Sequence, residues 1–162
     1  MSPAFHIRDA VAADVPEILR LIRALAVYEK LEHQVVASED KLRRSLFGAR
    51  PAAEAVLGCV GERVVGFALF FHNYSTFRAA PGIYLEDLFV EPESRGAGYG
   101  KALLLHVARL GVARGCERME WSVLDWNAPA IGFYRSLGAR LMEDWRICRL
   151  EGETLHQAAS RA

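Results

Sequence analysis

The chain has 162 residues and a mass of 18.0 kDa, which is the size of one domain. Apolar residues make up 52% and charged residues 25% of the sequence, a balance that favours a folded globular protein and excludes a disordered one. Twenty basic residues oppose twenty acidic ones, so bulk charge gives no indication of a nucleic-acid partner. We therefore expect a single domain over residues 1–162 that binds no nucleic acid.

The cysteines, the histidines and the N-terminal segment favour a cytoplasmic protein without a metal site. Three widely spaced cysteines, Cys59, Cys116 and Cys148, predict buried free thiols in a reducing compartment. The five histidines show no H-x-H or H-x-x-x-H spacing, which disfavours a metal centre. The N-terminal residues lack the pattern of a signal peptide, and the longest apolar run, residues 64–71, is too short to span a bilayer. We expect no membrane partner.

The first helix is predicted by the residues at its start. Residues 5–8 favour a short strand before it. Asp14 lies where a side chain can cap free backbone amides, Pro16 falls in the first turn, and Glu17 completes a capping box. The apolar residues that follow recur at spacings of four and three, which is one helical face. They are Ile18, Ile22 and Leu25.

A second helix and a hairpin follow in the sequence. Ser38 is the predicted cap of the shorter second helix. Two β-rich runs, residues 54–60 and 63–71, are separated only by Gly61 and Glu62, which predicts a tight two-residue hairpin.

The second half of the chain predicts further strands with crossover helices between them. The predicted strands cover residues 83–90, 119–124 and 147–150, and the predicted helices cover residues 99–114 and 127–137. The resulting order is β-α-α-β-β-β-α-β-α-β. It predicts an α/β fold with a mixed central sheet flanked by helices.

A glycine-rich segment joins a predicted strand to a predicted helix. Its residues are Arg95, Gly96, Ala97, Gly98, Tyr99, Gly100 and Lys101. Glycine lets the backbone approach a ligand, and free amides at a helix start attract anions, so a pyrophosphate is the expected ligand. The first glycine and the Ser/Thr of an NTP-hydrolysing loop are replaced by Arg95 and Ala102. The pattern favours holding a cofactor, and a ligand-free glycine turn is the alternative.

Two adjacent carboxylates, Glu86 and Asp87, interrupt the apolar strand that leads into this segment. Alternation predicts Glu86 on one face of the sheet and Asp87 on the other. The residues expected to share the face of Glu86 are Tyr84, Leu88 and Val90. A charge inside a strand is costly unless it is paired or used, so Glu86 is a candidate base, with an ion pair as an equal alternative. For Asp87 an ion pair is the prediction.

A second signature surrounds the sequence Asp125-Trp126-Asn127, where a strand turns into a helix. Asn127 is the predicted N-cap, with Pro129 in the first turn. Tyr134 lies on this helix at a spacing typical of core positions. Taken alone, Tyr134 is therefore predicted to be a core residue, and donation of a proton from its hydroxyl to a leaving group is the alternative.

Together these segments resemble the GCN5-related N-acetyltransferase (GNAT) superfamily and, within it, the diamine acetyltransferases of the spermidine/spermine and thialysine groups. The resemblance runs from about residue 7 to about residue 150. The matching segments are Leu21-Ile22-Arg23-x-Leu25-Ala26-x-x-Glu29, Tyr84-Leu85-Glu86-Asp87-Leu88-x-Val90, Arg95-Gly96-x-Gly98-x-Gly100, and Asp125-Trp126-Asn127 with Tyr134. The Asp-Trp-Asn form and Lys30-Leu31 are nearer the thialysine branch.

The resemblance implies a homodimer that transfers acetyl from acetyl-CoA to a primary amine of a small polyamine, diamine or lysine-like substrate. It implies Tyr134 as the acid toward the leaving thiolate and Glu86 as the base, acting through water. The implied cofactor-binding residues are Leu88, Phe89 and Val90, whose backbone would hold the pantetheine, the segment Arg95, Gly96, Ala97, Gly98, Tyr99, Gly100 and Lys101, and Asn127 and Ala130. The implied amine-site residues are Tyr28, Glu29, Glu86, Glu120, Trp121 and Glu143.

Two other functions remain open at this point. A protein N-terminal or lysine acetyltransferase would present an open groove in place of an acidic pocket. A non-catalytic acyl-CoA sensor would bind the cofactor without turnover, and it would need neither Glu86 nor Tyr134. The stretch around residues 140–145 is shorter than in the eukaryotic relatives, which leaves the role of Glu143 and the identity of the amine open.

Overall fold

The structure is a computed structural model, and it describes residues 4–161. The strands are β1 (Phe5–Asp9), β2 (Glu54–Val60), β3 (Arg63–Ser75), β4 (Ala80–Val90) and β5 (Arg118–Glu120). The helices are α1 (Val15–Glu29), α2 (Glu39–Phe47), α3 (Tyr99–Ala113), α4 (Ala128–Ser136) and α5 (Gly152–Ala159). The chain forms two compact units, Met1–Ser122 and Val123–Ala162, and all five strands lie in the first.

The five strands form one mixed sheet in the order β1-β2-β3-β4-β5. The first four pair antiparallel, and β5 pairs parallel to β4. The turn between β2 and β3 consists of Gly61 and Glu62, and Gly61 has a φ of 60° that glycine tolerates without strain. The predicted α/β fold, with helices around a mixed sheet, and the predicted hairpin are both confirmed.

The helices of the first unit cover both faces of this sheet. Apolar side chains of α1 and α2 form one core cluster with those of the central strands, including Ile18, Leu57 and Phe67. Helix α3 packs on the other face, where Leu103 lies against Gly58. Burial of this apolar surface is the main favourable contribution to folding. The sheet and its helices thus form a scaffold for the glycine segment, which lies between the end of β4 and the first turn of α3.

The helix caps were predicted correctly at two of three positions. The Ser38 hydroxyl accepts from the Lys41 amide at 3.3 Å, and the Asn127 side chain accepts from the Ala130 amide at 3.3 Å. The predicted capping box of Asp14 and Glu17 is wrong, because the Asp14 side chain accepts no hydrogen bond from the first turn of α1 within the described residues.

A charged partner explains why Asp14 does not cap α1. Its carboxylate accepts two hydrogen bonds of 2.7 Å from the Arg8 guanidinium and one of 2.8 Å from the Val11 amide. Charge-assisted bidentate pairing of this kind is stronger than a single bond to a neutral amide. Glu17 pairs instead with Arg20 at 2.8 Å. The pair of Arg8 and Asp14 therefore ties β1 to the start of α1.

The C-terminal elements differ from the prediction. Strand β5 covers only Arg118–Glu120, and residues 147–150 form no strand in the described part of the chain. Helix α5 follows instead, with the Glu151 amide donating to the Thr154 hydroxyl at 3.3 Å. Alternating apolar residues predict a strand only where a neighbouring strand can complete the hydrogen-bond ladder, and residues 147–150 have none in the second unit.

Of the three predicted buried thiols, only Cys59 is buried. Cys59 lies on β2 inside the core cluster, whereas Cys116 is half-buried and Cys148 is exposed. Cys148 falls in the stretch that does not form the predicted strand. The prediction of buried thiols is therefore correct for Cys59 and wrong for Cys116 and Cys148.

Candidate active site

Glu86 is the extra residue of a β-bulge in β4. The register pairs Leu69 of β3 with Asp87 and the next residue of β3 with Leu85, so Glu86 has no partner on β3. The side chain of Glu86 is exposed. A bulge disrupts the ladder locally, re-aims a side chain and bends the strand, and bulges are common beside active sites.

The bulge shifts the alternation of all later residues in β4. Asp87 pairs with Leu69, which packs against the core cluster below α1. The partner of Tyr84 lies two residues beyond Leu69 on β3, so Tyr84 shares this face with Asp87. The predicted arrangement, with Tyr84 on the face of Leu88 and Val90, is therefore wrong, because it assumes a strand without a bulge.

Asp87 is half-buried in a negatively charged environment. Burial, followed by the negative charges of Glu86 and Glu29, raises the pKa of Asp87 to about 7. No basic residue among residues 4–161 forms an ion pair with Asp87. The predicted ion pair is thus wrong, and the structure identifies a carboxyl that titrates near neutral pH, where the sequence predicts a structural one.

The last turn of α1 brings two further predicted residues to this region. Burial raises the pKa of Glu29, and its charge is close enough to act on Asp87. The preceding residue, Tyr28, packs against the core cluster. The first unit therefore brings together Glu29, Glu86 and Asp87, with Tyr28 beside them on the same helix turn.

Strand β4 has an open edge beyond the acidic residues. Its parallel pairing with β5 consists of three residue pairs and ends where Tyr84 faces Glu120. Within the described part of the first unit, no strand pairs with this edge of β4 over the residues that follow. Leu88, Phe89 and Val90 lie on this stretch. Unpaired backbone groups along a strand edge can bind an extended ligand, as in β-strand addition.

The glycine segment presents unused backbone donors at the start of α3. Gly96 and Gly98 have φ values of 86° and 83°, and a Cβ at either position would meet no atom within 4 Å beyond the residue's own chain neighbours. Among the described residues, the amides of residues 96–101 have no protein acceptor, and the first bond of the helix is from the Ala102 amide to Gly98 at 3.0 Å. The Arg95 amide is already used, since it donates to Pro92 at 3.2 Å. A run of six free amides at a helix start suits a diphosphate.

The Arg95 side chain is held by the protein. Its Nε donates to the carbonyl oxygen of Val90 at 2.9 Å. The guanidinium carbon lies 4.5 Å from the centre of the Tyr28 ring and 5.5 Å from that of Phe89. Cation–π contacts of this length are attractive. Arg95 therefore joins the glycine segment to the end of β4 and to α1.

Glu120 is already paired in the first unit. Its carboxylate accepts from the Asn73 side-chain amide at 3.0 Å and lies 3.1 Å from the Arg118 guanidinium. Trp121 follows β5 and is half-buried. Beside them, the hydroxyls of Tyr84 and Ser122 are hydrogen-bonded at 2.8 Å. The pairing with Arg118 reduces the charge that Glu120 can offer to a cation.

The remaining predicted site residues lie in the second unit. Asn127 is buried at the N-terminus of α4, and Ala130 donates the capping hydrogen bond to it. Tyr134 is half-buried on α4, with its ring 5.3 Å from that of Phe133. Glu143 is exposed in the segment between α4 and α5. Ala130 and Tyr134 thus lie on a helix that Asn127 caps, whereas Glu143 lies in a segment without regular secondary structure.

Residues 4–161 lack a metal-binding cluster and a membrane-crossing helix. They contain no group of three or more His, Cys, Asp or Glu side chains arranged to hold a metal ion. None of their helices combines the length and the apolar character that crossing a membrane needs.

Comparisons with known proteins identify the family. The sequence profile described as the acetyltransferase (GNAT) family matches residues 19–139. The chain is 41% identical over 166 aligned residues to a thialysine N-epsilon-acetyltransferase of Bos taurus, which covers 96% of this chain and 97% of the relative. The chain belongs to the GNAT acetyltransferase family. An L-ornithine N5-acetyltransferase of Arabidopsis thaliana is 35% identical, with 95% and 90% of the two chains covered.

A solved structure agrees with the fold of this acetyltransferase. An integron cassette protein from the mobile metagenome of V. cholerae superposes with a TM-score of 0.81 at 26% identity, covering 98% of each chain. GNAT acetyltransferases use acetyl-CoA as co-substrate. The free amides of residues 96–101 fit its diphosphate, because they offer consecutive donors at the positive end of a helix.

Proposed function

We propose that this acetyltransferase, with residues 1–162 acting as one catalytic domain, acetylates the terminal primary amine of a small diamine, polyamine or lysine-like amino acid. The observation that carries the proposal is the cluster of Glu29, Glu86 and Asp87 beside the strand that leads into the glycine segment. Carboxylates attract a cationic amine even when the protein has no net charge. The names of the bovine and Arabidopsis relatives both specify a side-chain nitrogen of a diamino acid, which supports this substrate class.

Cofactor binding is assigned to backbone groups of the first unit. Acetyl-CoA supplies the activated acetyl group. The amides of residues 96–101 donate to its diphosphate. Arg95 holds the segment in place through its side chain and its amide and donates no backbone bond to the cofactor. The open edge of β4 at Leu88, Phe89 and Val90 runs along the pantetheine. By the family resemblance, Asn127 and Ala130 also contact the cofactor.

Proton transfer is assigned to two side chains. An alkyl ammonium has a pKa of roughly 10.4, so the amine must lose a proton before it can attack. Glu86, exposed on the bulge of β4, accepts this proton through water. Tyr134 on α4 donates a proton to the leaving thiolate. By the same resemblance, Tyr28, Glu29, Glu120, Trp121 and Glu143 line the amine site.

An amine panel tests this proposal. Purified protein is incubated with acetyl-CoA and with thialysine, lysine, ornithine, putrescine, spermidine or a lysine-containing peptide, and free thiol is followed over time. We expect thiol release with at least one of the small amines, and a much lower rate of release with the lysine-containing peptide. A preference for the peptide would favour the protein acetyltransferase, and cofactor binding without thiol release from any amine would favour the sensor.

We also propose that the protein is cytoplasmic and acts as a homodimer. The cysteines, which form no disulfide among the described residues, support the first point, and the resemblance to diamine acetyltransferases supports the second. Size-exclusion chromatography with light scattering tests the second point directly. A mass near twice 18.0 kDa is expected, and a mass of one chain at assay concentration would contradict it.

A further inference from the structure

An ion-pair network around one buried carboxylate lies directly before the glycine segment and has no part in the chemistry proposed above. Glu91 is the first residue after β4, and only 7% of it is exposed. It is one of four buried polar or charged residues within residues 4–161, the others being Asp14, Ser75 and Asn127. A buried carboxylate is costly unless it is paired and hydrogen-bonded. Its presence at this position therefore calls for a structural account.

Two arginines from different elements bind the Glu91 carboxylate. Arg20 of α1 donates to one oxygen, and Arg63 at the start of β3 donates to the other at 2.8 Å. Arg20 also donates to the carbonyl of Val64 at 3.1 Å. The same nitrogen of Arg63 also donates to the Glu93 carboxylate at 2.8 Å, so Glu93 extends the network. The carboxylate thus ties α1 and β3 to one point of the chain.

The backbone of Glu91 is fixed at the same point. Its amide donates to the carbonyl of Val65 on β3 at 2.9 Å, and its carbonyl accepts from the Ser94 amide at 2.9 Å. The Arg95 amide then donates to Pro92 at 3.2 Å, which completes a tight turn. The free amides begin at the next residue, Gly96. The position of the diphosphate donors is therefore set, residue by residue, from the anchor at Glu91.

We propose that Glu91, through Arg20 and Arg63, is a positioning residue for the diphosphate-binding segment. The inference rests on the proposed function, because the ligand it concerns is the diphosphate of acetyl-CoA. A misplacement of catalytic or binding groups by about 1 Å can cost up to roughly 10²-fold in rate or affinity, so a fixed starting point for this segment is functionally valuable. Within residues 4–161, no hydrogen bond or ion pair joins Glu91 to Glu29, Glu86 or Asp87, so its direct effect is on the diphosphate-binding segment.

The variant Glu91→Gln tests the role of the anchor. A glutamine has one acceptor oxygen and places an amide donor against the second guanidinium, so one arm of the network is lost. We expect the Kd for CoA and the KM for acetyl-CoA to rise about tenfold, with kcat at saturating acetyl-CoA changed less than about twofold. The KM for the amine should change less than the KM for acetyl-CoA, because the segment reaches the amine site only through the contact of Arg95 with Tyr28.

The variant Arg63→Gln separates positioning from simple electrostatics. Glu91→Gln removes a negative charge and Arg63→Gln removes a positive one. If the network acted only by attracting or repelling the anionic cofactor, the first variant would tighten CoA binding and the second would weaken it. Positioning predicts that both weaken it, with Arg63→Gln giving about a threefold rise in Kd, because Arg63 is partly exposed and Arg20 remains on the carboxylate.

Asp14→Asn is the matched control for lost stability. Asp14 is also buried and also holds an arginine, but it ties β1 to the start of α1 and does not adjoin the glycine segment. It should lower the thermal midpoint without changing the Kd for CoA. Wild-type protein that binds no CoA would refute the proposed function. The positioning role alone would be overturned if wild-type protein binds CoA and the folded variants Glu91→Gln and Arg63→Gln keep its Kd. Opposite changes of the Kd in the two variants would overturn it as well.

Discussion

The guanidinium carbon of Arg95 lies 4.5 Å from the centre of the Tyr28 ring, so the arginine of the glycine segment packs on the last turn of α1. The same guanidinium donates through Nε to the carbonyl of Val90, at the end of β4. Tyr28 precedes Glu29, one of the three clustered carboxylates. The segment assigned to the cofactor and the helix turn assigned to the amine are therefore in direct contact within the first unit.

Arg95→Lys should weaken the binding of both substrates. Lysine keeps the charge but lacks the planar group that stacks on Tyr28 and the Nε that bonds Val90. We expect the KM for acetyl-CoA to rise about tenfold and the KM for the amine to rise a few-fold, in two-substrate kinetics. Arg109→Lys, on the exposed face of α3, is the control. Unchanged KM values for both substrates would show that the stacking does not position the segment.

Glu86→Gln should lower kcat/KM by about 10²-fold or more and remove the acidic limb of the pH–rate profile, because the amine loses its proton acceptor. Glu117→Gln, at an exposed site outside the cluster, should keep the wild-type profile. If the limb persists in Glu86→Gln but disappears in Asp87→Asn, the base is Asp87, the neighbouring carboxyl whose pKa lies at about 7.

Asp87→Asn should stabilise the protein at alkaline but not at acidic pH. The pKa of Asp87 rises from 3.8 in the unfolded chain to about 7 in the folded one, so the folded state binds the proton more tightly. The stability that this group contributes is complete below its unfolded pKa and is lost as the pH rises through 7. We expect the thermal midpoint of the variant to exceed that of wild type by about 2–4 °C at pH 8 and to match it at pH 4.

The control for this comparison is Glu62→Gln, an exposed carboxylate in the turn between β2 and β3. Glu62→Gln should show the same difference in thermal midpoint between pH 4 and pH 8 as wild type. A stability gain in Asp87→Asn that is equal at pH 4 and pH 8 would mean that the carboxyl is not held neutral by its surroundings.

Tyr134→Phe should lower kcat by roughly 10²-fold and leave the Kd for CoA nearly unchanged, because only the hydroxyl proton donor is removed. The rate of thiol release at saturating substrates measures kcat, and calorimetry measures the Kd for CoA. Tyr74→Phe, at an exposed position of β3, is the matched control. Equal kcat values in wild type and Tyr134→Phe would leave Tyr134 with a packing role on α4, where it is half-buried.

Local sequence signals were sufficient for most of the scaffold. The hairpin at Gly61 and Glu62, the cap of α4 at Asn127 and the glycine segment before α3 each depend on a few neighbouring residues, and each was predicted in place. The cap at Asp14 was not, because its carboxylate pairs with Arg8, which the chain places beside it only when β1 is in the sheet. Local rules give no weight to such a competitor.

The active-site strand shows what local rules cannot supply. Neither glycine nor proline marks the bulge at Glu86, so alternation predicts the wrong faces for Tyr84 and Asp87. One signal against an ion pair at Asp87 was present in the sequence, since β3 carries no lysine or arginine after Arg63. The packing of Arg95 on Tyr28 and the network at Glu91 join residues far apart in the chain, and these require the tertiary structure.

The most direct test of cofactor binding is a calorimetric titration of pure protein with CoA. We expect saturable binding of one CoA per chain through the free amides of residues 96–101, weakening as salt screens the charged diphosphate. A titration with neither heat nor saturation at any temperature, for a protein that is folded, would contradict the assignment of the glycine segment as a diphosphate site.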